Sequence, residues 1–356
     1  MPHRPTVARL ALPLAVLAAA GCASAPPGGE ASGEGRGPTP LPSLICGQGA
    51  REIDLRRTGV PSELELLDVA LAGDRAWVLA EDRFLAEVPR GGAGSARFLR
   101  GREDTPPWDA VAADPADGTL WIVSRTSFDL VHFDPASGRS RRITVERATG
   151  PGGFSDVAGG PGVVYVTPTC SDHAVWTIDP VEGRLLDRSF ALEELPGAVR
   201  QPAGPGGATP VDVPCSIASL ATGPDGTVYA SWGGAVYRPT ADGWEEVPAL
   251  APSGAAGALR GLDVGERTET WFFENAHRFL FVDGDPVWVG GPALSSAADR
   301  RGVILFRRGA DGRLIPHLER CLGPYAGAFA ADDAGYAFLT GDTLVYGPAP
   351  PAPAGS

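Results

Sequence analysis

Short apolar runs, each broken by Gly, Pro or Asp, recur from about residue 58 to residue 347. None is long enough for a helix of ordinary length, and many alternate apolar with polar positions, as a half-buried strand does. The clearest stretch runs Trp108-Asp109-Ala110-Val111-Ala112-Ala113, then the turn Asp114-Pro115-Ala116-Asp117-Gly118, then Thr119-Leu120-Trp121-Ile122-Val123. It continues through Leu130-Val131-His132-Phe133 and the turn Asp134-Pro135-Ala136-Ser137-Gly138-Arg139 into Arg142-Ile143-Thr144-Val145. That is a short inner strand, a tight turn, a strand carrying an aromatic, a third strand, a polar turn and a fourth strand.

The unit returns. Phe154-Ser155-Asp156-Val157-Ala158 precedes Val163-Val164-Tyr165-Val166 and the turn Asp179 to Arg184, and Ile217 to Thr222 precedes Pro224-Asp225-Gly226-Thr227-Val228-Tyr229. Earlier, Leu67-Asp68-Val69-Ala70 precedes Trp77; later, Leu262-Asp263-Val264 precedes Trp271, and Ala328-Phe329 precedes Tyr336. A four-stranded sheet with two apolar faces can bury them only against neighbouring copies, so six starts predict an all-β, six-bladed β-propeller. The last unit lacks a fourth strand, and Arg51-Glu52-Ile53-Asp54-Leu55 is a strand without a sheet, so the N-terminal strand is expected to close the ring. His277 to Val289 reads either as a hairpin insert in blade five or as part of a seventh blade.

Gly and Pro number 48 and 35, a density that excludes a helical bundle, where each interior copy costs roughly 1–3 kcal/mol. Much of it lies outside the repeats. Residues 22–45 read as a disordered tether and 348–356 as a disordered tail around a propeller at 46–347. Residues 1–21 read as a signal peptide: Arg4 and Arg9, then the apolar stretch Leu10 to Ala20, which is too short to span a membrane. It ends in Leu17-Ala18-Ala19-Ala20-Gly21-Cys22, which resembles the lipobox of bacterial lipoproteins although Ala19 stands where Leu is usual. The resemblance implies lipidation, palmitate included, at Cys22 and a place in the cell envelope, on the periplasmic side or at the cell surface; Ala23, in place of the Asp that retains many lipoproteins at an inner membrane, mildly favours an outer membrane if the cell has one. The alternative, a plain secretory cut after Ala25, is disfavoured by Pro26.

The formal charge is −13, and all 30 basic residues are Arg. An acidic chain excludes nucleic acid and adsorption to anionic lipid as partners, which leaves membrane contact through the anchor alone. An envelope protein folds in an oxidising compartment. The four cysteines beyond Cys22 are therefore expected in two disulfides, for which three connectivities exist. Propeller geometry places Cys170 and Cys215 in loops of one face on neighbouring blades and so pairs them; elimination leaves Cys46 with Cys321.

Asp68, Asp109, Asp156 and Asp263 start innermost strands in four of the six units, at the face that carries the d–a and b–c loops. Convergent carboxylates there could share Ca²⁺ or another divalent cation; local capping of loop N–H groups is the competing reading. The same face carries Arg125, Asp172, His173, Trp232 and His277 as candidate ligand-binding residues. His132 and His317, in third- and fourth-strand positions, read as structural.

The runs Asp114 to Trp121 and Gly223 to Tyr229 resemble the NHL, streptogramin-lyase and gluconolactonase-like propellers over most of residues 58–347. For the gluconolactonase-like family the resemblance implies a metal held by Glu, Asn and Asp. Asp263, Glu274 and Asn275, the chain's one Asn, are the candidates here. For the streptogramin-lyase-like family it implies channel His residues, but the matching starts read Trp108-Asp109 and Ser155-Asp156. No catalytic residue is assigned. The sequence thus points to a binding or scaffolding propeller that takes a protein or a small molecule on its top face and channel mouth. A metal-dependent hydrolase or lyase of gluconolactonase-like type is the alternative.

Overall fold

The computed structural model describes residues 50–92, 96–103, 105–146, 152–169, 173–191, 219–232, 235–241, 243–250, 276–282, 284–290, 303–308, 314–319 and 328–348. Six four-stranded antiparallel sheets are arranged as a β-propeller, and the described residues contain no α-helix. In blade one, β2 (Leu66–Ala72), β3 (Arg75–Ala80), β4 (Phe84–Pro89) and β5 (Arg97–Arg100) follow one another outward. Blade two is β6 (Ala110–Ala113), β7 (Leu120–Ser124), β8 (Ser127–Asp134) and β9 (Arg139–Thr144). Blade three is β10 (Phe154–Gly160), β11 (Val163–Pro168), β12 (His173–Asp179) and β13 (Arg184–Ala191). Blade four is β14 (Ser219–Thr222), β15 (Val228–Trp232), β16 (Ala235–Thr240) and β17 (Gly243–Glu246).

Blade five departs from expectation. Its described strands are β18 (Ala276–Val282), β19 (Asp285–Gly290), β20 (Val303–Arg308) and β21 (Leu314–Glu319). His277 to Val289 is thus the inner hairpin of this blade, neither an insert nor a seventh sheet, whereas Leu262-Asp263-Val264 and Trp271 lie outside the described residues. Blade six is β22 (Phe329–Asp332), β23 (Gly335–Thr340) and β24 (Thr343–Pro348), completed by β1 (Arg51–Asp54). Arg51 faces Tyr346 and Asp54 faces Thr343, so the N-terminal strand closes the ring as expected. Each innermost strand lies beside those of two neighbours, β2 against β6 and β22, β10 against β6 and β14, β18 against β14 and β22.

The core is a set of inter-blade seams. Trp77 of β3 meets Phe133 of β8 edge to face at 5.5 Å, within a cluster shared by blades one and two. Phe128, Phe154 and Trp176 join blades two and three, and Tyr165 with Trp244 joins three and four. Phe329, Tyr336 and Phe338 of blade six pack with Val282 and Val287 of blade five. Burying such a side chain contributes about 1.5–3 kcal/mol, and each does so only because the adjacent blade is present. The apolar runs of the sequence are therefore two-sided strands, and the ring is their common solution.

Cys22 and the cysteines expected in disulfides, Cys46, Cys170, Cys215 and Cys321, all lie outside the described residues, as do residues 1–49. Among the described residues no helix is long and apolar enough to cross a membrane.

Candidate functional site

The innermost strands surround a central channel, and each pairs on one side only, with the second strand of its own blade. Its other edge presents backbone N–H and C=O groups that need partners. One position in these strands lies four residues before the strand's end. Asp68, Asp109 and Asp156 hold it in blades one to three, Arg278 in blade five and Ala328 in blade six. The backbone bulges there in β2, β10 and β18, between Leu66 and Asp68, Phe154 and Asp156, and Ala276 and Arg278.

The bulge turns a carboxylate toward the next blade. The Val111 N–H of blade two donates to Asp68 Oδ2 at 3.0 Å, and the Leu220 N–H of blade four donates to Asp156 Oδ2 at 2.9 Å. Asp156 Oδ1 accepts from the Val157 N–H at 2.9 Å. Both carboxylates are buried, at 2% and 7% exposure, so the bonds are shielded from water. Asp109 does a local job, accepting the Arg125 N–H of its own blade's b–c turn at 2.7 Å. These acids satisfy strand edges and a turn. Among the described residues no three His, Cys, Asp or Glu side chains come together as metal ligands. Asp263, Glu274 and Asn275 lie outside the described residues, and the blade-five position in this register belongs to Arg278 instead of Asp263.

Four of the five candidate ligand residues lie toward one rim. Arg125 is exposed in the b–c turn of blade two. His173 begins β12, Trp232 ends β15 and His277 is the second residue of β18, which places all of them at the b–c and d–a end of their strands. Asp172 lies outside the described residues.

The enclosed space lies elsewhere. A cavity of about 590 Å³ runs down the channel and opens among the a–b turns, on the opposite face. All six innermost strands contribute to its wall, with Val69, Val111, Val157, Leu220, Leu280 and Phe329 among the apolar residues. Ala72, Ala113, Gly160 and Ala331 narrow the wall little near the mouth, which keeps the cavity wide. The rim carries Gly73, Pro115, Pro161, Pro224 and the carboxylates of Asp114, Asp332 and Asp333. Asp114 is fixed by its turn, since Oδ1 accepts the Ala116 N–H at 3.0 Å and Oδ2 the indole Nε1–H of Trp121 at 3.2 Å. Beside the rim, the Thr227 N–H holds Asp225 below the usual carboxylate range, with burial opposing and the Thr227 hydroxyl adding to the effect.

Asp114, Asp332 and Asp333 belong to the same turns that reveal the repeats. In sequence they read only as turn formers, and the one signal that could have found them is that a–b turns of successive blades must ring one mouth.

No protein-family model matches the chain, and no curated protein matches it in sequence. Its fold is similar to that of virginiamycin B lyase from Staphylococcus aureus, with a TM-score of 0.52 at 10% identity over 83% of this chain and 98% of that one. It is also similar to a gluconolactonase from Xanthomonas campestris, with a TM-score of 0.51 at 14% identity, covering 86% and 91% of the two chains. A chain of the mitotic checkpoint complex gives a TM-score of 0.54 at 11% identity over 84% of this chain and 93% of its own. At such identities the likeness extends to the propeller alone.

Proposed function

We propose that the chain is a lipid-anchored, extracytoplasmic β-propeller that binds a small molecule in its central channel, entering by the mouth among the a–b turns. The cavity carries this reading. Its volume of about 590 Å³ falls within the ~300–1,000 Å³ typical of ligand pockets, and its wall is built of inner-strand edges with small residues near the mouth. Nothing in it favours the gluconolactonase-like alternative. Among the described lining residues there is no His, Cys or Glu, and the carboxylates of Asp114 and Asp156 are engaged in structural hydrogen bonds. The similar chain of the mitotic checkpoint complex belongs to an assembly of several proteins, which keeps a protein partner compatible with the fold. The channel, however, is too enclosed by six strands to receive a folded surface.

Anchoring and binding are separable. Cys22→Ala should move the protein from the membrane to the soluble fraction, and a variant that still sediments with membranes would remove the anchor from the proposal. Binding is tested by filling the mouth at two half-buried positions on different blades, Ala113→Phe and Ala331→Phe. A thermal-shift screen of small molecules against the full-length chain should return binders that neither variant retains, while each variant still melts cooperatively. Binders kept by both variants, or a screen with none, would count against the channel as the site.

A further inference from the structure

A second surface lies on the side of the ring, at the outer strand of blade two. β9 reads Arg139-Ser140-Arg141-Arg142-Ile143-Thr144, and its first four residues are exposed. Three arginines thus stand within four residues, in a chain whose formal charge is −13.

Charge on an outer strand has an ordinary use, which is to keep sheet edges from pairing with one another. Other blades show that use with the charge balanced. On β5 Arg97 pairs with Glu87 at 3.2 Å and Arg100 with Asp82 at 3.7 Å, and on β13 Arg184 pairs with Glu182 at 3.4 Å. Blade two balances Arg142, which meets Asp129 at 2.7 Å. Arg141 donates from Nη2 to the Pro180 carbonyl of blade three at 2.8 Å, a contact that orients the guanidinium and leaves its charge. Arg139 has no ion pair among the described residues. Asp134, opposite it in the register, accepts instead from the Ala136 N–H and from the N–H and hydroxyl of Ser137.

Arg139 and Arg141 are two residues apart, so both project from one face of the strand. The strand's outer edge is open as well, since β9 pairs with β8 alone. Just past its end the Val145 N–H donates to Phe128 O at 3.1 Å, and the unbroken register before it means that Arg139, Arg141 and Ile143 turn their backbone groups toward β8. Ser140, Arg142 and Thr144 therefore turn N–H and C=O outward. An unpaired backbone row and two unbalanced guanidinium groups lie side by side. An extended peptide uses both, adding a strand and setting carboxylates at alternate positions. A lipid headgroup uses only the charge. We infer that β9 docks an acidic, extended segment of a partner protein as a fifth strand of blade two, with Asp or Glu at alternate positions against Arg139 and Arg141.

Fluorescence anisotropy with the full-length chain tests this, using a labelled decapeptide that alternates Glu with Val. An analogue with Gln for Glu loses the charge, one with Pro for Val loses the ladder, and each should bind at least about tenfold more weakly. Arg139→Gln and Arg141→Gln should each weaken the Glu–Val peptide about threefold, and added salt should weaken it further. Ser140→Pro, which removes an outward N–H where an edge strand tolerates proline, should weaken it by at least as much. Arg238→Gln on blade four and Ala113→Phe in the channel mouth should change nothing, and each variant should still melt cooperatively. The inference falls if no peptide binds or if the Gln analogue binds as well as the Glu–Val peptide. It falls too if the Glu–Pro analogue binds equally and phosphatidylglycerol vesicles displace it, because the surface is then a charge site for a lipid headgroup.

Discussion

Gly153→Ala is expected to lower the stability of the protein by about 3 kcal/mol, the upper end of what overpacking costs. Gly153 precedes β10 on the connection from blade two, and its carbonyl accepts the Thr169 N–H at 2.7 Å. A Cβ placed there would stand 2.5 Å from both the N and the O of Ser127, and closer still to the carbonyl O of Ser124. All three are backbone atoms of the b–c turn of blade two, so no side chain can rotate aside. Relief requires blade three to withdraw from blade two, which opens the seam held by Phe128, Phe154 and Trp176. Gly118→Ala is the control. Nothing lies within 4 Å of its Cβ, but its φ of +72° is left-handed, so its cost is conformational, about 1 kcal/mol. Denaturant melts of the two variants separate the causes; a Gly153→Ala loss no greater than that of Gly118→Ala would falsify the seam argument.

Why much of the fold is legible in sequence, and the site is not, follows from how far apart the interacting residues stand. Blades two and three are local objects. Their four strands follow one another through short turns whose Asp, Pro and Gly residues have to be there, so Trp108 to Val145 already contains its own sheet. Even the closing strand was readable, because Arg51 to Asp54 had no sheet of its own and blade six lacked a strand. Blade five fails for a physical reason. What makes β18 innermost is its position beside β14 and β22, a relation between blades that no local pattern carries.

The Asp register shows the same limit more sharply. Its recurrence is visible, but its purpose is not. The N–H groups it serves are 43 residues away for Asp68 and 64 for Asp156, and they belong to strand edges that exist only once the ring has formed. The cavity is harder still, since its wall is strand edges and small side chains, which carry no motif. A channel is defined by what six strands leave unfilled, and a single repeat contains no trace of it.

Where the ring closes, Arg90→Ala is expected to cost about 2–3 kcal/mol. Arg90 follows β4 of blade one and is only 6% exposed, yet its partner Asp332 belongs to blade six. Nη1 donates to Asp332 Oδ1 at 3.0 Å and Nη2 to Oδ2, a bidentate fork, while the guanidinium stands 5.4 Å from the centre of the Tyr346 ring. Burial alone would lower the Arg90 pKa; the hydrogen bonds and charges of Asp332 and Tyr346 outweigh it and raise it.

Removing one partner of a buried pair usually costs about 3–5 kcal/mol because the other charge is stranded. Here the Asp332 side chain is 30% exposed and can recover some hydration, which sets the lower figure. At the other face the same seam carries Arg56 and Asp342, at 2.6 Å, but Asp342 is 60% exposed, so Arg56→Ala loses chiefly the bonds to Pro61 O and Leu64 O and should cost less. Arg90→Lys should recover only part of the loss, since an ammonium cannot reproduce the fork. A double-mutant cycle with Asp332→Ala decides between a seam clamp and a general charge effect. Coupling of about 1.5 kcal/mol or more identifies the clamp, and coupling near zero excludes it.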